Sequence, residues 1–245
     1  MIEAADYILH LQNSLQLKEV GKVVLKMKDV PFVCSWSGGK DSAMAYYRAM
    51  KMGMKPKRLL TMFEEEGEIS KSHALPFEVV TAQAERLGIP LSIKEASWSS
   101  YEGLFTESMD ECRAEGITHG VFGDIDLDGH LEWVQNTCAK SDIVAVHPLW
   151  KEPRHKIIVD LIDAGFEAWI VVVNATMMPA EFVGRKFSKE LIVELEALGI
   201  DACGENGEFH TVVVDGPIFS SRVPIKIGQT IVKGDYIFSP VMIND

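Results

Sequence analysis

The chain has 245 residues, 47% hydrophobic and 24% charged, with a formal net charge of −12: enough to bury a full core as one large or two small domains, in the balance of a soluble globular enzyme. That acidity argues against a protein that grips nucleic acid over a broad basic surface, although a local basic groove stays open. No apolar run reaches the roughly 18 residues of a membrane span, the first 28 residues hold no signal-peptide core, and four scattered cysteines without a Cys-x-x-Cys pair fit a reducing cytoplasm and lack metal-site spacing.

Ala5, Ile8, Leu11 and Leu15 stand at helical spacing, which predicts a short amphipathic helix over 3–15 within a prefix of 28 residues. A strand–helix alternation then begins. Phe32–Trp36 reads as a buried strand and Lys40–Met52 as a helix ended by Gly53. Arg58–Phe63 is a second strand, followed by a helix over His73–Leu87 closed by Gly88. Leu91–Ala96 is a third strand, Tyr101–Glu115 a helix stopped by Gly116, and Val121 and Phe122 lie in a fourth strand before a helix over Leu131–Ala139. This rhythm predicts an α/β fold with a parallel sheet covered on both faces. The rhythm loosens after residue 146. A helix over Arg154–Ala164, an apolar run at Ala168–Val173, a helix over Lys189–Leu198 and a β-like tail from Phe209, with turns at Asp215-Gly216-Pro217 and Gly228, follow. The expected organisation is a helical prefix (1–28), a nucleotide domain (29–145) and a substrate-side domain (146–245).

The stretch Ser37-Gly38-Gly39-Lys40-Asp41-Ser42 joins the first strand to the first helix. A glycine turn there lets backbone N–H groups converge, and the positive end of the helix dipole adds to them, which makes a phosphate site. Ser37 and Ser42 supply hydroxyls and Lys40 supplies charge. Asp41 repels phosphate unless a cation lies between them, so Mg²⁺ is expected there. Walker A is excluded, because Cys34 stands where its first glycine belongs and Asp41 follows the lysine; the dinucleotide G-x-G-x-x-G spacing is absent too. An ordinary glycine turn with a Ser/Asp helix cap is the bland alternative.

Residues 37–42 match SGGxDS, the signature of the PP-loop ATP pyrophosphatase superfamily. The resemblance implies an adenine-nucleotide α-hydrolase-like, doubly wound sheet with a smaller C-terminal α/β domain. It also implies cleavage of ATP between the α and β phosphates with AMP transfer to a substrate oxygen. Four later stretches narrow it: "SHALPFEVVTAQAERLGIPL" (72–91), "VHPLWKEPRH" (146–155), "GFEAWIVVVNA" (165–175) and "CGENGEFHTVVVDGPIF" (203–219). Together they resemble the diphthine–ammonia ligase family from about residue 32 to 219. Its E-G-G-E-x-x-T-x-V-x-D-x-P-x-F pattern stands here as Glu205-Asn206-Gly207-Glu208, then Thr211, Val213, Asp215, Pro217 and Phe219. Asn206 replaces a glycine, and asparagine tolerates left-handed backbone better than most residues. The family's Ser-Asp-Tyr-Gln-Arg stretch is replaced by "GDIDLDGHLEW" (123–133), in which only Asp124 aligns.

What the family implies is a cytoplasmic, AMP-forming ligase that activates a carboxylate as an acyl-adenylate and amidates it with ammonia. Its cofactors are ATP and Mg²⁺. Its acceptor is diphthine, a modified histidine of a translation elongation factor; related bacterial chains exist where that modification is absent. Asp41, Asp124, Glu205 and Glu208 are the catalytic candidates, with Asp41 and Asp124 toward the metal. Ser37 to Ser42 would hold the nucleotide, and Glu205, Asn206, Gly207, Glu208 and His73 the acceptor. A homodimer stays open. A sulfur-transferring tRNA enzyme of the same superfamily and a non-catalytic ATP sensor are the rivals.

Four further features also have plain structural readings. Asp124, Asp126, Asp128 and Gly129 mimic a calcium loop, but Gln135 stands where the bidentate glutamate belongs and a strand precedes it. His73 and His210 rank second, since a lone histidine is more often structural. The five tryptophans are assigned mostly to the core, with Trp150 a candidate cleft residue, and Cys203 is read as a buried inert thiol.

Overall fold

A computed structural model of the chain describes residues 27–65, 69–70 and 73–244, so the helix expected over 3–15 lies outside the described residues. Its first part is a five-stranded, wholly parallel sheet. The strands are β1 (Pro31–Ser35), β2 (Lys55–Phe63), β3 (Leu91–Glu95), β4 (His119–Val121) and β5 (Val144–Val146), in the order β3-β2-β1-β4-β5. Between them run α1 (Lys40–Lys51), α2 (Phe77–Leu87), α3 (Tyr101–Ala114) and α4 (Asp128–Ala139). The fold is the doubly wound α/β class expected.

The period of two along a strand sorts the core. Phe32, Cys34, Leu59 and Phe63 pack on one sheet face with Ala43, Tyr46 and Val80 of α1 and α2. Val33, Leu60 and Met62 pack on the other with Phe105, Met109, Val134 and Cys138 of α3 and α4. Burial on both faces is why these strands read as continuous apolar runs rather than alternating ones.

Several boundaries differ from expectation. The helix expected from His73 starts at Phe77, with Pro76 as its N-cap, and His73 lies in the preceding loop. Proline keeps the residue before it out of helical backbone, so the helix begins after it. The strand β2 is three residues longer at its start, and α4 begins at Asp128 rather than Leu131. The three-residue β5 is an edge strand with Val144 exposed, too short to declare itself as a periodic run.

The chain continues through α5 (Arg154–Asp163), β6 (Glu167–Asn174), a 3₁₀ turn at Ala180–Phe182, α6 (Lys189–Ala197) and β7 (Phe209–Asp215). Short strands β8 (Ile225–Ile227), β9 (Ile231–Lys233), β10 (Tyr236–Phe238) and β11 (Val241–Ile243) complete it. An antiparallel sheet runs β7-β6-β10-β9, and β11 pairs with β8 as a ribbon. The valine-rich centres of β6 and β7 join the α1–α2 core, which ties this smaller C-terminal domain to the parallel sheet. Among the described residues no helix is long and apolar enough to cross a membrane.

Candidate active site

Strand β1 lies between β2 and β4, so the chain order reverses at the carboxyl ends of β1 and β4. Open α/β sheets bind ligands in that crevice. Residues 37–42 leave β1 there and enter α1. Backbone packing dictates the glycines. Gly38 has φ +79°, and a Cβ on it would lie 2.6 Å from Leu75 Cδ1 and 2.7 Å from Gln83 Oε1. A Cβ on Gly39 would meet His73 Cε1 at 2.1 Å. Across the crevice, a Cβ on Gly123 would press on the Asp41 carbonyl carbon at 3.0 Å, so the β4 end seats directly on the loop.

The C-terminal domain fastens this loop. Lys40 N donates to Thr211 Oγ1 (3.1 Å), and Val213 N donates to Gly38 O (2.9 Å). His73 Nδ1 lies 2.7 Å from Thr211 O. Gln83 is fully buried and joins three elements: Oε1 accepts from Trp36 Nε1 (3.0 Å), while Nε2 donates to Gly38 O (3.0 Å) and Val213 O (2.7 Å). Helix N-termini leave amides without intrahelical partners, and Thr211 satisfies one of them from 171 residues away. Thr211→Val keeps the shape and strands that amide. Thermal unfolding should report a loss of about 1–3 kcal/mol; unchanged stability would make the contact incidental.

Lys40 is buried, with Nζ 2.8 and 2.7 Å from the two Asp41 oxygens and 3.9 Å from Glu205 Oε1. Burial works against its charge, but the Asp41 carboxylate, with Glu205 beyond it, holds its pKa above the usual lysine value. Burial and the Asp41 charge push the Glu205 carboxyl up to about 7. Asp41, Cys203 and Glu205 bring one ligand atom each within 4.8 Å of one another. Burial raises the pKa of the Cys203 thiol and keeps it neutral, a poor partner for a hard cation. Of this cluster only the two carboxylates suit Mg²⁺, and Asp41 suits it better than Glu205, whose carboxyl is pushed toward its protonated form.

The turn before β7 is held from outside. Arg154 forks onto Asp126 (Nε to Oδ2 2.7 Å, Nη2 to Oδ1 2.8 Å) and reaches Asp201 Oδ2 at 2.6 Å. Asp201 accepts in turn from the amides of Cys203 (2.9 Å) and Glu205 (3.1 Å). Glu208 is buried, and both its oxygens are taken by Asn206, from the backbone amide at 3.0 Å and from Nδ2 at 2.9 Å. The asparagine that departs from the family pattern thus holds the turn through its side chain. With Asp126 on Arg154 and Asp128 on Lys151 (3.0 Å), the calcium-like spacing is spent on ion pairs.

A cleft of about 700 Å³ opens over the loop. One end is polar: Ser37, Lys40, Asp41, Ser42, Glu205 and Thr211 line it. The other is aromatic, with Trp98, Tyr101, Phe105, Phe122 and Trp133. Asp124 lines the same cleft, 3.2 Å from His147 Nδ1 and 3.7 Å from His130 Nδ1. His73 and His210 line the cleft with their ring centroids 4.9 Å apart, and burial lowers their pKa values to about 4 and about 3, so both are neutral.

The sequence candidates Ser37, Lys40, Asp41, Ser42, Asp124, Glu205, Gly207 and His73 therefore share one cleft, while Glu208 and Asn206 do not line it. Trp150 is not among the lining residues; its ring carries Lys151 Nζ at 4.7 Å from the centroid. Of the five tryptophans, Trp36 is buried and Trp133 and Trp169 are partly buried against the core, whereas Trp98 is 82% exposed. Gln83, Arg154 and Trp133 were missed; an amphipathic helix shows which face is apolar but not which polar residue that face buries.

Residues 30–145 match the model of the diphthamide synthase N-terminal domain, and residues 153–238 match the diphthamide synthase C-terminal domain. Among curated proteins, the diphthine–ammonia ligase of Danio rerio is 25% identical over 232 residues, 84% of this chain and 90% of the relative. Those of Rattus norvegicus (23% over 230 residues) and Homo sapiens (22% over 233) each align with 84% of this chain and 86% of their own length. With its signature loop at the β1–β4 crevice and two family domains matched over most of its length, the chain belongs to the diphthamide synthase family.

Proposed function

We propose that the chain is an ATP-dependent ligase that adenylates a carboxylate and amidates it with ammonia; the curated relatives are named diphthine–ammonia ligases, which supports the ligation to ammonia. The observation that carries this reading is the loop of Ser37 to Ser42 at the order reversal, facing Glu205 across one cleft. In the first step a carboxylate oxygen of the acceptor attacks the α-phosphorus, and the bond to the bridging oxygen breaks as pyrophosphate leaves. The loop amides, the Ser37 and Ser42 hydroxyls and Lys40 hold the departing diphosphate and meet its developing charge. In the second step the nitrogen of ammonia attacks the acyl carbon, AMP leaves with the bonding pair, and the surplus proton passes from nitrogen to the Glu205 carboxylate. Holding both partners in one crevice supplies much of the rate.

Mg²⁺ would be held by Asp41, with Asp124 at the facing β4 end, and would offset phosphate charge. Glu205, reached by the Lys40 ammonium, is left for the acceptor side. The proposed division of labour follows the chain: residues 29–145 bind nucleotide, and 146–245 close the acceptor side. His73 supports the loop at Gly39, and Glu208 with Asn206 and Gly207 shapes the turn that presents Glu205. Four buried, unpaired cysteines support work in the reducing cytoplasm and count against a sulfur-carrying tRNA enzyme. The proposed acceptor is a diphthine-type side chain of a translation elongation factor.

The test is AMP release with ammonium across a set of carboxylates that includes diphthine-bearing elongation factor, with mass spectrometry of the acceptor. AMP formed in step with an acceptor lighter by one mass unit, as hydroxyl becomes amine, is the expected result. ATP binding without AMP formation on any acceptor would favour the sensor reading instead.

A further inference from the structure

We propose that a second cavity, on the far side of His73 and His210, is the route by which ammonia enters the cleft, with His210 as the movable part of the partition it passes. This rests on the ligase reading and names the path of its nitrogen substrate.

The cavity measures about 520 Å³ and lies between the loop before α2 and the antiparallel sheet. Leu75, Val172, Phe238 and Val241 are among its walls, and its lining carboxylate and lysine, Glu64 and Lys233, are both solvent-exposed. Among the described residues, His73 and His210 alone line both this cavity and the cleft. Their rings, with centroids 4.9 Å apart, therefore divide the two spaces. The two are held unequally. His73 is fixed by its Nδ1 contact to Thr211 O at 2.7 Å, and its Cε1 occupies the room that a Cβ on Gly39 would need. His210 makes no side-chain hydrogen bond among the described residues, so within that set its ring nitrogens are open to a ligand.

Amidation needs a nitrogen lone pair at the acyl carbon while nucleotide and acceptor both occupy the cleft. Once they are seated, the open side of the cleft is taken, and a third reactant needs another way in. Apolar walls suit NH₃ rather than NH₄⁺, because moving a charge out of water into such surroundings costs far more than moving a neutral molecule. Ammonium leaves its proton in solvent, and the free base enters with its lone pair intact. Burial keeps both histidines neutral, so the partition carries no fixed charge. A neutral imidazole offers one nitrogen as donor and one as acceptor, which matches ammonia. The His210 ring lies within reach of the Lys40 and Asp41 charges, so nitrogen passing it emerges beside the reacting centre. There it forms the C–N bond and gives its surplus proton to the Glu205 carboxylate. Water can follow the same route, but ammonia is the stronger nucleophile.

Val172→Phe narrows the cavity from β6, at the position paired with His210. With ATP, ammonium chloride and diphthine-bearing elongation factor, it should raise the KM for ammonium about five- to thirtyfold. Pyrophosphate exchange and the KM for ATP should stay within about twofold of wild type, because adenylation uses no ammonia. AMP released without amide should rise as the waiting adenylate meets water. Ile231 lines the cavity and is 45% exposed, so Ile231→Trp keeps the test open if Val172→Phe fails to fold. A second measurement needs no turnover. In the full chain in alkaline buffer, the ring nitrogen resonances of His210 should shift saturably with ammonia and not with trimethylamine, which is bulkier and has no N–H to donate. An unchanged ammonium KM in both variants, exchange and amide formation falling in parallel, or equal shifts with the two amines would overturn the proposal. Wild-type protein that shows the ammonia shift yet makes no amide sinks the ligase reading, whereas wild-type protein that makes amide without the shift sinks this inference alone.

Discussion

Asp41→Asn should abolish carboxylate-dependent exchange of pyrophosphate into ATP, a fall of about a thousandfold or more, while the protein stays folded. The size follows from what one atom change does. Both Asp41 oxygens hold the Lys40 ammonium at 2.7 and 2.8 Å in a place where burial disfavours charge. An amide in the same shape no longer offsets that ammonium, and the pair proposed to take Mg²⁺ loses a carboxylate. Removing one preorganised group that meets transition-state charge costs about a hundred- to a thousandfold, and here two such functions go together. Stability changes less. Asp41 is partly exposed in the first turn of α1, where its interaction with the helix dipole is worth about 0.3–1 kcal/mol. Thermal unfolding alongside exchange separates the outcomes. A variant that exchanges at the wild-type rate removes Asp41 from the chemistry and leaves it a helix-start residue that neutralises a lysine.

The parallel sheet and its Ser37–Ser42 loop are legible in the sequence because their signals are local. The six residues from Ser37 to Ser42 sit at a strand–helix junction, and the alternation that fixes the parallel sheet repeats within windows of about thirty residues. The contacts of the C-terminal domain are built differently. Thr211 caps a helix 171 positions earlier, Gln83 joins Gly38 to Val213, and Arg154 couples Asp126 to Asp201. Such long-range polar contacts leave no periodicity. Glu205 and Glu208 illustrate the limit: three positions apart in one turn, they looked equivalent, yet one faces the cleft and the other is taken by Asn206. The helix boundary at His73 missed for a local reason, the stop imposed by Pro76. The aromatic end was overlooked because scattered tryptophans carry the same hydrophobic signal whether they fill a core or border a cleft.

Glu205→Gln should split the two half-reactions. Pyrophosphate exchange should stay within a few-fold of wild type, while amide formation falls about a hundredfold or more. The split follows from where Glu205 stands. It lines the cleft on the side formed by the C-terminal domain, its amide tied to Asp201, and its carboxylate reaches the Lys40 ammonium only at 3.9 Å against 2.7 Å for Asp41. The glutamine keeps the turn and its shape, because the backbone bond to Asp201 is untouched. It removes a group able to take a proton from nitrogen, and a positioned general base contributes about a hundred- to ten-thousandfold. Glu208→Gln is the contrasting variant: with both oxygens on Asn206 it should disturb the turn and lower stability, reducing both half-reactions together. If Glu205→Gln instead loses exchange as completely as Asp41→Asn, Glu205 belongs with Asp41 at the nucleotide, as their convergence within 4.8 Å allows, and the base for ammonia must be sought elsewhere in the cleft.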